Sequence, residues 1–237
     1  MSPAPTSRTR AAEIHDRLRA DVLAGRFRPG QALSIAELAP ALGVSITVVR
    51  EALTRLCGDG LVRLEPRAGF RVAELSVAHL LDLTDVRAEV EASAVRRAVR
   101  GGDRRWEADV VAAHHLLAVT PPDGDGGGVG PDENMTWWQA HVAFHRVLVA
   151  GCGSPLLLGI RDRLWVATEL YLRWSLGAGD PTYLQDAAAE HAALTEAAVA
   201  RDPDWAAAVI AAHVEHTAGV LVAELRHQQA ARVEASA

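Results

Sequence analysis

The chain of 237 residues contains no lysine: all 24 of its basic side chains are arginine. Alanine is abundant beside them, so this reads mainly as the compositional bias of a GC-rich genome rather than as selection for bidentate contacts. Cysteine is almost as scarce, with Cys57 and Cys152 far apart in separate helical patterns. That argues against a disulfide framework and for two small buried hydrophobes. No apolar run reaches the length needed to span a bilayer, and MSPAPTSRTR has no hydrophobic stretch behind its charges, so a cytoplasmic protein with no membrane partner is expected. A phosphate loop is missing too: GDGGGVG at 124–130 follows no strand pattern and lacks the Lys and Ser/Thr such a loop needs. There is no internal repeat.

What is present divides by charge. Residues 1–73 carry 11 Arg against 7 acidic residues, a net of +4; the rest carries 13 Arg against 23 acids, a net of −10. Only the first part has the electrostatic footprint of nucleic-acid binding, and an acidic remainder repelled by phosphates would help to orient the molecule.

The basic part holds a specific pattern. Ser34, three residues before Glu37, has capping-box spacing and predicts a helix start, with Ile35, Leu38, Ala39 and Leu42 in helical rhythm and Gly43 turning the chain. Ser45 can cap a second helix whose buried stripe is Val49, Ala52, Leu53 and Leu56, leaving Ile46, Thr47, Arg50 and Thr54 outward, where a major groove would meet them. Gly58-Asp59-Gly60 stops that helix. Leu61–Glu65 and Phe70–Ala73 read as strands joined by a turn from Pro66 through Arg67 and Ala68 to Gly69, and an Arg at a hairpin tip can follow a phosphate backbone or enter a minor groove. With the amphipathic helix expected over Arg8–Gly25, this outlines a winged helix-turn-helix: three helices plus a small β-hairpin.

Beyond it no strand alternation appears. Helices are expected from Ser76 to Gly101-Gly102 and over Asp103–Val119, Asn134–Ala150, Pro155–Leu176, Thr182–Ala200 and Pro203–His227, with a mobile loop at Pro121–Pro131. The fold class is therefore mainly α: a DNA-binding domain over 1–73, then an all-α helical-bundle domain over 76–237.

Four of the ten histidines could hold a metal. His141 and His145, four apart in HVAFH, share a helix face. His191 and His213 occupy later helices that a bundle would bring alongside, and imidazole suits divalent zinc, nickel, copper or iron. His216, three residues after His213, is a possible outer neighbour.

With these residues in place, the chain resembles the GntR superfamily of bacterial transcription regulators, in its FadR-like branch with an FCD effector domain. The marks are GRFRPGQAL at 25–33, ELAPALGVS at 37–45, VREAL at 49–53, RAGFRV at 67–72, DVRAEVE at 85–91, FHRVLVAGCGSPLL at 144–157, EH at 190–191 and AAH at 211–213. The resemblance implies a homodimer on double-stranded operator DNA with inverted half-sites, and an effector domain whose small ligand changes DNA affinity. It also implies a metal, zinc or nickel foremost, on His141, His145, His191 and His213, with His141 standing where many members have Asp. Four neutral imidazoles leave a cation its full +2 charge, which favours an anionic effector such as a carboxylate. Arg87 matches a family Arg that often faces the effector cavity; an intrahelical pair with Glu91 at i+4 is the alternative. On the DNA side, Ile46 and Val48 depart from the Arg and Pro common in the family, while Arg50 matches the retained Arg. Ser45, Thr47, Arg50, Arg67 and Gly69 are the expected DNA-binding residues.

Three functions follow from this reading. The first is a transcription regulator, as a repressor in its commoner family form, modulated by an organic acid bound beside a metal. The second is a direct metal sensor. The third, a metal-dependent hydrolase, is disfavoured because HVAFH places Val142 and Ala143 where a zincin helix carries its general-base Glu.

Overall fold

The computed structural model describes residues 9–121, 136–175 and 181–234, which form two compact units. In the first, the elements are α1 (Arg10–Leu23), β1 (Ala32–Leu33), α2 (Ile35–Leu42), α3 (Ile46–Gly58), β2 (Val62–Glu65) and β3 (Gly69–Val72). Hydroxyl caps start each helix: Thr9, Ser34 and Ser45 accept the backbone N–H groups of Ala12, Glu37 and Val48. Between α2 and α3 the chain turns at Gly43, whose φ of 64° is left-handed and suits glycine. The apolar stripe of α3, Val49, Ala52, Leu53 and Leu56, is fully buried and meets Ile14, Leu18 and Val22 of α1. At about 1.5–3 kcal/mol for each large aliphatic side chain, this stripe fixes which face of α3 stays in solvent.

The sheet is larger than the expected hairpin. β2 and β3 pair antiparallel with Val62 opposite Val72 and Glu65 opposite Gly69, and β1 adds a third strand, giving the order β1-β3-β2. Two residues are too few to show an alternating pattern, which is why β1 is invisible in the sequence.

The second unit is all helix: α4 (Val77–Gly101), α5 (Arg104–Val119), α6 (Trp137–Val149), a 3-10 turn (Ala150–Cys152), α7 (Pro155–Ser175), α8 (Pro181–Val199) and α9 (Pro203–Glu234). Val166–Trp174 of α7 belongs to the first unit, where Leu170 joins the core and Glu169 pairs with Arg19 at 2.7 Å. In the second unit a full capping box between Thr136 and Gln139 starts α6. The 3-10 turn after α6 lies so close to the end of α4 that a Cβ on Gly151 would stand 2.9 Å from the Ala98 carbonyl oxygen. Glycine there lets α6 dock on α4.

Cys57 and Cys152 are both free, Cys152 buried and Cys57 partly so. One expectation needs correcting. α9 contains a stretch, Pro203–Ala231, long and apolar enough on length and composition alone to match a bilayer span. It is half buried as a core helix of this unit, and several of its apolar side chains, Ile210 among them, lie in the core. The expected loop lies, after Pro121, outside the described residues, as do the expected helix ends at Asn134 and Leu176.

Candidate metal centre and DNA-reading face

His141 and His145 stand one turn apart on α6, His191 on α8 and His213 on α9, and all four are buried. Their ligand nitrogens lie within 4.8 Å of one another. The Nε2 atom of His145 is 3.2 Å from the Nε2 of both His141 and His191. Donors at about 2.0–2.1 Å around a tetrahedral ion sit roughly 3.3 Å apart, so this spacing fits a metal. The placement of His141 answers the question raised by the missing Asp: its imidazole reaches the other three.

Burial sets the chemistry of the rings. Desolvation holds His141, His145 and His191 well below the ordinary imidazole range, reinforced by neighbouring His213 for each and by Arg87 and Arg161 for His141. Neutral imidazole is the form that binds metal. The sign of the pH effect follows. In the unfolded chain these rings take up protons as pH falls through about 6.5, while in the folded protein they stay neutral, so the unfolded state binds more protons. Metal-free protein is therefore expected to lose stability below pH 6.5, by up to about 1 kcal/mol per histidine per pH unit until the folded-state values are reached. Urea denaturation at pH 7.5 and 5.5 checks it; equal midpoints would contradict it.

Sequence reasoning missed the group that orients the fourth ring. Glu190 accepts from Nδ1 of His213 at 2.6 Å and from Nδ1 of His216 at 2.7 Å. The first bond fixes the His213 tautomer and turns Nε2 toward the other histidines. Burial alone would push the Glu190 carboxyl up, but the hydrogen bonds and charges of His213 and His216 outweigh it and hold it below its ordinary value. The only trace of this in the sequence was the Glu-His pair at 190–191. Glu190→Gln is expected to weaken metal affinity by roughly 10- to 100-fold, measured by competition with a chromophoric chelator.

A second buried group flanks the histidines. Glu91 on α4, 1% exposed, lies between two guanidiniums: Arg161 Nε donates to its two oxygens at 3.0 and 3.2 Å, and Arg87 Nε stands 3.6 Å from Oε1. The Arg87–Glu91 pair weighed as the alternative is thus present, though longer than a hydrogen bond. Both guanidiniums lie over Trp165, with Cζ 4.8 Å and 5.0 Å from the ring centroid. Trp165 in turn borders His141 and His145, at 5.6 Å and 5.1 Å between centroids. Arg161 and Trp165 share one face of α7 at i,i+4 spacing, but no motif marked either of them. Among the described residues, the buried side-chain atoms without a hydrogen-bond partner include the Trp165 indole N–H, Nδ1 of His141 and of His145, and the Thr217 hydroxyl one turn beyond His213.

On the first unit, Thr47 and Arg50 of α3 are exposed, as is Ile46 at 55%. Among the described residues no carboxylate pairs with Arg50 or Arg67, whereas Arg55 is held by Glu51 and Arg71 by Glu65. Ser45 is occupied at least in part by capping, its hydroxyl 3.4 Å from the Val48 nitrogen. At the wing tip both Arg67 (φ 68°) and Gly69 (φ 81°) are left-handed, uncommon for Arg, and the Arg67 side chain is exposed.

This is a winged helix-turn-helix of the DNA-binding kind in a chain that also carries a helical domain with a buried imidazole site. Residues 10–72 match the bacterial regulatory proteins of the gntR family and residues 82–216 match the FCD domain. The chain belongs to the GntR family of transcription regulators, in the branch carrying an FCD domain. It is 36% identical over 203 residues to the HTH-type transcriptional repressor GlaR of Escherichia coli (strain K12), covering 83% of this chain and 89% of GlaR. To the HTH-type transcriptional regulator BphR of Paraburkholderia xenovorans (strain LB400) it is 32% identical over 224 residues, 93% of this chain and 89% of BphR. Among solved structures, Escherichia coli McbR/YncC has the same fold, with a TM-score of 0.72 at 23% identity over 94% of this chain and 99% of that one. A GntR regulator from Rhodococcus sp. RHA1 gives a TM-score of 0.68 at 25% identity, covering 91% and 99%. These named relatives are regulators of transcription, not enzymes.

Proposed function

We propose that this regulator is a cytoplasmic, homodimeric repressor whose affinity for operator DNA is set by a small carboxylate bound beside a divalent metal. The observation that carries this reading is the buried convergence of His141, His145, His191 and His213. In it, residues 1–73 read DNA and residues 76–237 dimerise and sense. On four neutral imidazoles zinc or nickel keeps its +2 charge, and nickel, with coordination positions left open, would supply a Lewis-acidic centre for an anion. Arg87, buried and bordering Trp165, would hold the effector's carboxylate. The repressor printed in the name of GlaR supports the direction of control.

Arg50 and Arg67, free of carboxylates among the described residues, are the DNA contacts of choice, with Thr47, Ser45 and Gly69 along the backbone or base edges. Binding to a duplex from the promoter region beside its own gene tests this. Wild type should prefer it to random DNA at physiological salt, and Arg50→Ala should lose about 1–3 kcal/mol of that preference. Arg67→Ala, a phosphate contact, should weaken both duplexes and lower the salt slope by about 1. No preference by the wild type would contradict the reading.

A second reading has its own support. Four protein ligands already fill a tetrahedral ion, as structural zinc sites do, and leave no position for an effector. A tetragonal metal such as nickel keeps positions open. If zinc is resident, occupancy itself becomes the signal, and chelation alone should change DNA affinity.

A further inference from the structure

We infer that Trp165 reads the effector: its indole N–H donates a hydrogen bond to an oxygen of a small carboxylate seated between the histidine site and Arg87. The inference rests on the carboxylate-sensing reading above and extends it to a residue that no family motif marks. Trp165 is 4% exposed, and its Nε1 is buried without a partner. Tryptophan nitrogen is a donor only, so whatever satisfies it must bring an acceptor. The ring borders two of the four histidines, His141 and His145, which places the indole beside the metal site.

The neighbouring cations separate into two roles. Arg161 is committed to protein: Nε to both oxygens of Glu91, Nη1 to Asp162 at 3.1 Å and Nη2 to the His145 carbonyl at 3.4 Å. It anchors α7 against α4 and α6 and supplies positive field. Trp165 carries the guanidiniums of Arg161 and Arg87 over its ring, contacts that do not use its N–H. Such a donor, buried and next to positive charge, suits a carboxylate oxygen better than a neutral ligand.

The experiment uses full-length protein loaded with nickel and titrates acetate, succinate and tartrate by calorimetry, comparing wild type with Trp165→Phe. Phenylalanine keeps an aromatic face for the two arginines and removes the donor together with part of the ring, so unchanged metal affinity is the control for packing. The expected result is a carboxylate Kd weakened roughly 10- to 100-fold with metal affinity unchanged. In ¹⁵N spectra, the indole N–H signal missing from the variant should shift in wild type when carboxylate is added. A Kd within twofold of wild type, or an indole signal that does not move, overturns the role of Trp165 and leaves carboxylate sensing standing. Failure of all three anions to bind loaded wild type overturns both.

Discussion

Glu91→Ala is expected to destabilise the helical domain by about 3–5 kcal/mol, enough to lower its melting temperature by roughly 6–20 °C. The carboxylate is the shared partner of Arg161 and Arg87, and all three residues are at most 3% exposed. Forming such a group from water costs much of what its attraction returns, so its net contribution to folding is small. Removing that carboxylate is a different matter, because it takes from two buried guanidiniums the anion they share and leaves Arg161 only the half-exposed Asp162 at 3.1 Å. The surface pair of Arg10 and Glu13, 61% and 46% exposed, provides the contrast: Glu13→Ala should change stability by less than about 1 kcal/mol. Chemical denaturation of both variants decides. Equal, small losses would mean that the buried cluster is solvated.

His145→Ala is expected to cost more than 100-fold in metal affinity, beyond the roughly 10- to 100-fold loss argued for its outer partner Glu190. Among the described nitrogens, His145 Nε2 is the one hydrogen-bond distance links to two others, His141 and His191. Its loss leaves three imidazoles on three helices. Saturating metal at 1,000 times Kd raises the stability of wild type by about 4 kcal/mol through mass action, and at the same metal concentration the variant should keep at most about 1.4 kcal/mol of that gain. Competition against a chromophoric chelator, with thermal unfolding in parallel, measures both. Retention of affinity within threefold would remove His145 from the site.

Much of this could be read from residue order because the cues are local. Ser34, Ser45 and Gly43 mark helix ends through their own side chains or backbone freedom, and Val49, Ala52, Leu53 and Leu56 show the inner face of α3 by spacing alone. His141 and His145 announced themselves as an i,i+4 pair, His191 and His213 joined them as histidines of later helices that a bundle brings alongside, and the family resemblance pointed to the same four. What escaped depends on long-range packing. Nothing near β1 says that Ala32 and Leu33 will pair with Arg71 and Phe70. Nothing near Glu91 says that Arg161, 70 residues later, will be its partner. Glu190 could be noticed only as a neighbour of His191, because its contacts with His213 and His216 arise where α8 meets α9. The overall charge of −6 likewise conceals a DNA binder until the chain is divided into a basic head and an acidic body.

That the histidine site controls the DNA-reading head is tested most directly by fluorescence-anisotropy titration of the promoter duplex with metal-free, metal-loaded and metal-plus-carboxylate protein, alongside His145→Ala. Coupling of the usual size, roughly 5- to 150-fold in DNA affinity, is expected for wild type when carboxylate joins the metal, and none for the variant. Identical affinity of wild type in all three states would contradict it.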